Sequence, residues 1–192
     1  YYQIIRFFKP KKIVEIGSGQ STLIALEAIK KNKLKNNFST ELICIEPYEN
    51  HWLENLGIEI MRKKIEDVDL DLCKKLEAND ILFIDSSHII RPQGDILKEF
   101  LEILPVLKPG VIIHIHDIYT PRDYPERWLK KENRFYNEQY LLEAMLDNSN
   151  RYSVLLALNF LKNDYFDELK KQCPYLIDST EPGSFYLKIN PK

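Results

Sequence analysis

The chain has 192 residues, of which 44% are hydrophobic, and its 27 lysines and arginines nearly balance its 29 aspartates and glutamates. This size suits one domain with a sizeable core, so we expect a single domain over residues 1–192. A formal net charge of −2 argues against a nucleic-acid-binding protein, which would carry a basic surplus. No apolar run approaches the roughly 18 residues of a membrane span, so we expect no membrane association.

The chain begins with Tyr1 rather than methionine, and we therefore expect a trimmed N-terminus. Its three cysteines, Cys44, Cys73 and Cys173, are widely spaced and form no CxxC pair. This spacing predicts neither a disulfide framework nor a zinc site. A reducing cytoplasm is the location we expect.

Short apolar runs alternate with helical patterns along the chain. Strands are predicted at 12–16, 41–46, 57–61, 80–85, 110–117, 152–158 and 184–189. Helices are predicted at 21–31, 51–56, 67–78, 93–104, 137–147 and 162–172, and Pro105 is expected to end the fourth of them. This alternation is typical of an α/β fold whose mostly parallel sheet carries helices on both faces.

Four of the predicted strands end in polar or acidic residues, which a purely structural sheet does not need. These strand ends are 15–19, Glu46, 85–88 and 116–117. In an open parallel sheet, ligands bind outside the carboxyl ends of the strands. We therefore place the candidate site at this edge of the sheet.

The stretch VEIGSGQST (14–22) is a glycine-rich corner between the first strand and the following helix. Gly17 and Gly19 remove side chains where the chain turns and where a ligand can lie against the backbone. A dinucleotide fingerprint would have a third glycine where Thr22 stands, and an acid closer to the corner than Glu46. A plain strand-to-helix turn is the alternative. Glu46 suits the two hydroxyls of a ribose, or the N-terminus of the next helix.

The segments VEIGSGQST, ICIEPYE, RKKIEDVDL, DILFIDSSH and LKPGVIIHIHDIYTPRDYP have the order and spacing seen in class I S-adenosylmethionine-dependent methyltransferases. The chain most resembles the small-molecule and saccharide methyltransferase-like group, whose fourth strand ends in IDSSH or IDGDH. The resemblance covers residues 10–190. It implies a Rossmann-like, seven-stranded, mostly parallel sheet whose antiparallel last strand lies between strands five and six.

The resemblance also implies how S-adenosylmethionine is bound. Glu15 would order the glycine loop and face the methionine ammonium, and Asp85 would face the methyl group. The loop that packs against the methionine portion and the ribose corresponds to Gly17, Ser18 and Gly19. Glu46 would accept hydrogen bonds from the ribose hydroxyls, and the adenine would be framed by Lys64, Ile65 and Glu66.

A hydroxyl acceptor is a poor nucleophile until a base or a metal removes its proton. His88 is our first candidate for the base, because it follows strand four in a polar turn. The alternative is a loop histidine that only bonds to the backbone. His116 and Asp117 are the next candidates, whereas we expect His114 to be packed and hydrogen-bonded.

A divalent metal such as magnesium is the other way to activate a hydroxyl. The candidate ligands are Asp85, His88, His116 and Asp117. Related O-methyltransferases hold magnesium with acids at these strand ends. The present chain offers His116–Asp117 in place of the usual Asp–Asn or Asp–Asp pair at strand five.

The segment 119–140, which we call the acceptor segment, is the least regular part of the chain and mixes aromatic with charged residues. Long ordered loops are usually functional, and this one follows strand five, so we expect it to wall the acceptor pocket. Aromatic faces with Arg122 and Arg127 would suit a sugar or an anion. Alternatively, these aromatics pack onto the domain or against a second copy in a homodimer.

The sequence therefore predicts S-adenosylmethionine-dependent methyl transfer to a small-molecule or saccharide acceptor, at a hydroxyl group. Two alternatives share the same architecture. One is a nucleotide- or NAD-binding oxidoreductase module. The other is a methyltransferase-like protein that binds the cofactor without turnover.

Overall fold

Seven strands form one sheet in the computed structural model, which describes residues 1–48 and 50–191. In chain order they are β1 (Lys12–Ile16), β2 (Glu41–Ile45), β3 (Glu59–Met61), β4 (Ile81–Ile84), β5 (Ile112–Ile115), β6 (Tyr152–Ala157) and β7 (Phe185–Ile189). Across the sheet the order is β3-β2-β1-β4-β5-β7-β6. β7 runs antiparallel to both of its neighbours, and the other pairs are parallel. The predicted fold, with the last strand between strands five and six, is confirmed.

The α-helices are α1 (Tyr2–Phe8), α2 (Gln20–Asn36), α3 (Asp71–Lys74), α4 (Asp95–Lys98), α5 (Leu104–Val106), α6 (Glu126–Lys130), α7 (Glu138–Leu146), α8 (Leu158–Asp164) and α9 (Phe166–Gln172). A π-helical segment (Glu99–Ile103) joins α4 to α5. Two 3₁₀ turns lie at His51–Leu56 and Ile65–Asp67. No helix in the described parts of the chain is long and apolar enough to span a bilayer.

Both faces of the sheet are buried. Successive strand residues point to opposite faces, so Ile13 joins α1 and α2 in one cluster, whereas Val14 packs against the α4 side. This two-sided burial explains why the strands read as continuous apolar runs. Each large aliphatic side chain that is fully buried in this way contributes about 1.5–3 kcal/mol to stability.

The helix predicted at 67–78 is wrong over most of its length, because only the single turn of α3 is α-helical. Val68 is extended, with φ −91° and ψ 136°. The carboxylate of Asp69 accepts a hydrogen bond from the backbone N–H of Asp71 at 2.8 Å, which favours a turn over a continuing helix. The apolar spacing alone could not reveal this local competition.

The helix predicted to stop before Pro105 continues to Val106. α4, the π-helical segment and α5 run without a break, so Pro105 stands in the last turn of one helical stretch. In the π-helical turn before it the N–H of Leu104 donates to the oxygen of Glu99, which departs from the i−4 pattern that a proline would otherwise disrupt.

Three further elements differ from the predictions. The helix expected at 162–172 is two helices, α8 and α9, because Tyr165 between them is not helical, with φ −135° and ψ 42°. The acceptor segment contains α6. α1 was not predicted, and it buries Ile5 alone among its seven residues, so its apolar pattern is too short to identify.

Candidate functional site

Two adjoining cavities open at the carboxyl edge of the sheet. One, of about 380 Å³, has walls that include Ile45, Ile65, Glu66, Ser86 and Arg91. The other, of about 590 Å³, has walls that include Gly19, Asn50, Phe83, His114 and His116. Gly17, Glu46 and Asp85 line both cavities. Of the predicted strand-end residues, 17–19, Glu46, 85–87 and His116 line this two-lobed site, whereas Glu15, His88 and Asp117 do not line it.

The glycine loop is shaped by the neighbouring strand. Gly17 has φ +78°, and a Cβ atom there would lie 1.8 Å from the backbone oxygen of Asp85. No other residue fits, since both the backbone conformation and the contact exclude a side chain. The sequence suggested that a ligand requires this glycine. The structure gives an internal reason, which is the close approach of the chain just after β1 to the chain just after β4.

Glu46 holds the glycine loop from the β2 side. Its Oε2 accepts a hydrogen bond from the N–H of Ser18 at 3.2 Å, and its Oε1 accepts one from the N–H of Tyr48 at 3.1 Å. The Nδ2 of Asn50 donates to the backbone oxygen of Ser18 at 2.9 Å. Asn50 escaped sequence reasoning because nothing in its neighbourhood distinguishes it from a turn residue.

Glu15 is a fully buried carboxyl group beneath the glycine loop. Its Oε2 accepts a hydrogen bond from Thr22 Oγ1 at 2.7 Å, whereas its Oε1 accepts none from the described residues. Burial raises the pKa of Glu15 to about 7, and the hydrogen bond from Thr22 opposes that shift. Thr22 Oγ1 also accepts from the N–H of Gly19 at 3.0 Å. The threonine that replaces a fingerprint glycine therefore ties the loop to Glu15.

Four predicted residues converge where β4 and β5 end, and we call them the acid–histidine cluster: Asp85, His88, His116 and Asp117. His88 Nε2 lies 3.2 Å from Asp85 Oδ1 and 3.9 Å from Asp117 Oδ2. His116 Nδ1 lies 3.2 Å from Asp117 Oδ1 and 3.5 Å from Asp85 Oδ1. The idea that His88 bonds only to the backbone is wrong, because its ring contacts carboxylates.

The carboxylates control the protonation of both histidines. Burial lowers the pKa of His88, but hydrogen bonds to Asp85 and Glu138 outweigh it and raise this pKa to about 11. Burial likewise lowers the pKa of His116, and the contacts with Asp117 and Asp85 raise it to about 10. Burial would raise the pKa of Asp85, but the two histidines hold it well below its usual range. At neutral pH both imidazoles are therefore cationic.

Asp85, His88 and Asp117 also form a set that could hold a metal ion. One ligand atom from each of these three residues lies within 4.8 Å of the other two. Carboxylate oxygens suit magnesium and manganese, and an imidazole nitrogen is a common ligand of transition metals. The donor set therefore fits a divalent cation.

Two residues of the cluster have left-handed backbones, with φ +61° at His88 and +55° at Asp117. Such a conformation costs a non-glycine residue about 1–3 kcal/mol and must be held by its surroundings. The backbone oxygen of His88 accepts from the N–H of Asn137 at 3.0 Å. The N–H of Ile118, next to Asp117, donates to the oxygen of Gly183 at 2.8 Å. Segments distant in sequence thus hold both residues in place.

The first cavity contains an arginine that sequence reasoning missed. Arg91 Nη1 donates to Asp95 Oδ1 at 2.9 Å and to Ser87 Oγ at 3.0 Å, and Arg91 Nη2 donates to Glu66 Oε1 at 3.3 Å. This arginine ties the turn after β4 to Glu66, one of the residues implied for the adenine. The only signal in the sequence is its place shortly after the IDSSH stretch.

The acceptor segment packs differently from the expectation. Tyr119, Tyr124 and Trp128 are buried together in a small aromatic cluster, so their rings pack mainly against one another. The alternative that the aromatics pack onto the domain is correct for these three. Tyr136 is half-buried and stacks on His88, with ring centroids 4.4 Å apart. Through Tyr136 the segment reaches the acid–histidine cluster.

His114 is packed, as predicted, between Phe83 and Tyr186, with ring centroids 4.7 and 4.1 Å away. The expectation that it is hydrogen-bonded is wrong, because neither ring nitrogen has a hydrogen-bond partner among the described residues. Burial lowers the pKa of His114 well below its ordinary value, so its ring is neutral.

Comparison with known proteins identifies the class. A family model described as a methyltransferase domain matches residues 14–118, more than half of the chain. The chain belongs to this methyltransferase domain family, and its sheet has the Rossmann-like methyltransferase topology. A protein of Archaeoglobus fulgidus, described as uncharacterized, is 39% identical over 87 residues, which cover 42% of this chain and 38% of that protein. The matched region is thus less than two thirds of that relative.

Solved structures share the fold at low sequence identity. The plantazolicin methyltransferase BpumL, in complex with a desmethyl analogue and SAH, is 14% identical with a TM-score of 0.55, covering 100% of this chain and 84% of that one. CmcI-N160 with SAH is 14% identical with a TM-score of 0.53, covering 100% and 75%. The mycinamycin methyltransferase MycE, with Mg and SAH, is 13% identical with a TM-score of 0.52, covering 99% of this chain and 48% of that one.

Proposed function

We propose that this protein transfers the methyl group of S-adenosylmethionine to a hydroxyl group of a small-molecule or saccharide acceptor. The observation that carries the proposal is the placement of three carboxyl groups around the glycine loop: Glu46 and Asp85 line the two-lobed cavity, and Glu15 is buried beneath the loop. The family supports methyl transfer, and the structural neighbours that hold SAH support the choice of cofactor.

The residues fit a cofactor with two positive charges and a ribose. When bound, S-adenosylmethionine would supply a methyl group on a cationic sulfur. Glu46 is placed at both lobes, where its carboxylate can accept hydrogen bonds from ribose hydroxyls. The buried Oε1 of Glu15 accepts no hydrogen bond from the described residues. This carboxyl group could therefore pair with the ammonium group of a cofactor bound against the glycine loop.

The acid–histidine cluster suits the removal of a hydroxyl proton. His88 and His116 flank Asp85, so imidazole and carboxylate groups that can accept or relay a proton meet at the end of β4. The neighbouring carboxylates raise the pKa of both histidines and so favour imidazolium, which cannot accept a proton. The arrival of a second cation, beside the sulfonium of the cofactor, would favour the neutral imidazoles.

Magnesium or another divalent cation is our proposal for that second cation. Asp85, His88 and Asp117 would hold it, with His116 beside them. A bound divalent cation would lower the pKa of an acceptor hydroxyl. Replacement of the two imidazolium protons by one divalent cation leaves the net charge of the cluster unchanged. The MycE structure, which contains Mg with SAH, supports this choice.

Titration calorimetry tests the cofactor assignment. We expect the protein to bind S-adenosylmethionine and S-adenosylhomocysteine, and NAD far more weakly. Glu46→Ala should weaken cofactor binding more than tenfold, because two hydrogen bonds to a charged acceptor are lost at about 1.5–3 kcal/mol each. Glu59→Ala removes an exposed carboxylate from β3 and serves as the matched control. Unchanged affinity in a folded Glu46→Ala protein, or tighter binding of NAD, would refute the proposal.

A further inference from the structure

Glu138 is a buried carboxyl group that sequence reasoning did not connect with the site. It is the first residue of α7 and has no exposed surface. Its Oε1 contacts Nδ1 of His88, fifty positions earlier in the chain. Its Oε2 is buried and has no hydrogen bond within the described part of the chain. A buried carboxyl group needs a partner, and His88 is the one that this glutamate contacts.

The contact determines which ring nitrogen of His88 faces Asp85 and Asp117. With Nδ1 at Glu138, Nε2 points to Asp85 Oδ1 at 3.2 Å and to Asp117 Oδ2 at 3.9 Å. A half-turn of the ring would place carbon atoms at all three carboxylates. Tyr136 stacks on the ring face and restricts that motion further.

The residue before Glu138 is hydrogen-bonded to the turn that carries His88. The N–H of Asn137 donates to the backbone oxygen of His88 at 3.0 Å, and the N–H of Ile90 donates to Asn137 Oδ1 at 2.6 Å. The end of the acceptor segment is thus hydrogen-bonded to both sides of the His88 turn. Among the described residues at the end of the acceptor segment, Glu138 is the one that contacts a ring nitrogen of His88.

We propose that Glu138 is a positioning residue for His88, which holds Nδ1 so that Nε2 is the nitrogen presented to the carboxylates and to the acceptor. A carboxylate behind a functional histidine orients the ring whether its other nitrogen takes a proton or binds a metal. The proposal rests on the proposed function for the role of His88. It also links the acceptor segment to that role, because Glu138 stands at the C-terminal end of the segment.

Nuclear magnetic resonance of protein with ¹⁵N-labelled histidine tests the contact without any substrate. An N–H held by a buried carboxylate exchanges slowly with solvent, so we expect a downfield Nδ1 proton of His88, identified by its loss in His88→Gln. The resonance should vanish in Glu138→Ala and shift in Glu138→Gln, which keeps the side-chain shape. Should the alanine protein not fold, the glutamine variant carries the test.

Two control variants separate positioning from general support of the fold. Glu143→Gln makes the same chemical change at an exposed site on α7 and should leave the His88 signal unchanged. Gln139→Ala removes a buried neighbour whose Nε2 donates to the oxygen of Arg122, without touching His88. A wild-type resonance in the folded Glu138→Ala protein, or equal loss in Gln139→Ala, would overturn the proposal.

Kinetics provide the functional readout. With an acceptor in hand, Glu138→Gln should lower kcat at least tenfold while the dissociation constant of S-adenosylmethionine changes less than threefold. A wild-type kcat in Glu138→Gln would overturn the positioning role. Failure of the wild-type protein to bind S-adenosylmethionine would instead refute the proposed function and leave the resonance experiment intact.

Discussion

The backbone oxygen of Asp85 occupies the space that any side chain at Gly17 would need, since a Cβ there would be 1.8 Å away. The N–H of Asp85 also donates to the oxygen of Ile16 at 2.9 Å. The glycine loop and the end of β4 are therefore in direct contact. The glycine loop and the acid–histidine cluster therefore meet at one junction.

Gly17→Ala should destabilise the protein by about 1–3 kcal/mol more than Gly57→Ala. Both glycines have positive φ, +78° and +68°, so both variants carry a backbone penalty of about 1–2 kcal/mol. Only Gly17 is also in contact with backbone, and such overpacking adds about 1–3 kcal/mol. Urea unfolding of the two variants measures the difference. Equal destabilisation would show that the junction can open at little cost.

The buried carboxyl group of Glu15 should make stability depend on pH. Its folded pKa of about 7 lies above the ordinary value of 4.5. Its stabilising contribution is therefore complete below pH 4.5 and is lost as the pH rises to 7. The loss for this group is about 3 kcal/mol. Glu15→Gln, measured by urea unfolding at several pH values, should lack this part of the decline. Parallel pH profiles of the two proteins would contradict the assignment.

Asp85→Asn and Asp117→Asn should each weaken the binding of Mn²⁺, used as a paramagnetic probe, by at least about tenfold. Each change removes a charged oxygen from the three-residue set. Asp167→Asn, at an exposed position on α9, is the control and should bind like the wild type. Electron paramagnetic resonance of free Mn²⁺ gives the affinities. If wild-type protein takes up no Mn²⁺ at millimolar concentration, the metal proposal fails.

Trp128→Ala should destabilise the acceptor segment by about 3 kcal/mol or more, since it empties the centre of a buried aromatic cluster. Phe135→Ala, with a side chain that is 61% exposed, should change stability by less than about 0.5 kcal/mol. Hydrogen exchange of the segment amides reports the difference. Neither residue lines the two-lobed site, so S-adenosylmethionine should bind both variants with an affinity within about threefold of the wild type. A large loss of affinity in Trp128→Ala would mean that the segment covers the cofactor.

The elements and site residues that could be predicted from the sequence are those with a clear apolar pattern or another strong local signal. The strands were found because burial on both faces leaves continuous apolar runs, and Gly17, Glu46 and Asp85 were found because they end such strands. His88 and Asp117 could be predicted for the same reason, because they stand at or just after the ends of predicted strands. Their positions at one sheet edge follow from topology alone.

The rest depends on contacts between distant residues, which one sequence does not encode in any readable pattern. Glu138 looks like an ordinary helix residue until α7 places it against His88. The left-handed backbone of His88 and Asp117 likewise depends on hydrogen bonds from elsewhere in the chain. The sequence leaves open whether the aromatic residues of the acceptor segment form a ligand surface or a small core, because composition cannot distinguish the two.

The insertion of β7 between β5 and β6 has a consequence for the order of assembly. β6 pairs only with β7 among the described strands, so it cannot join the sheet until residues 185–189 have been made and have docked on β5. The segment leading into β7 also supplies the Gly183 oxygen that accepts from the N–H of Ile118, beside Asp117. On the ribosome, the glycine loop and Glu46 can therefore form early. The Asp117 side of the site is completed only after nearly the whole described chain has emerged.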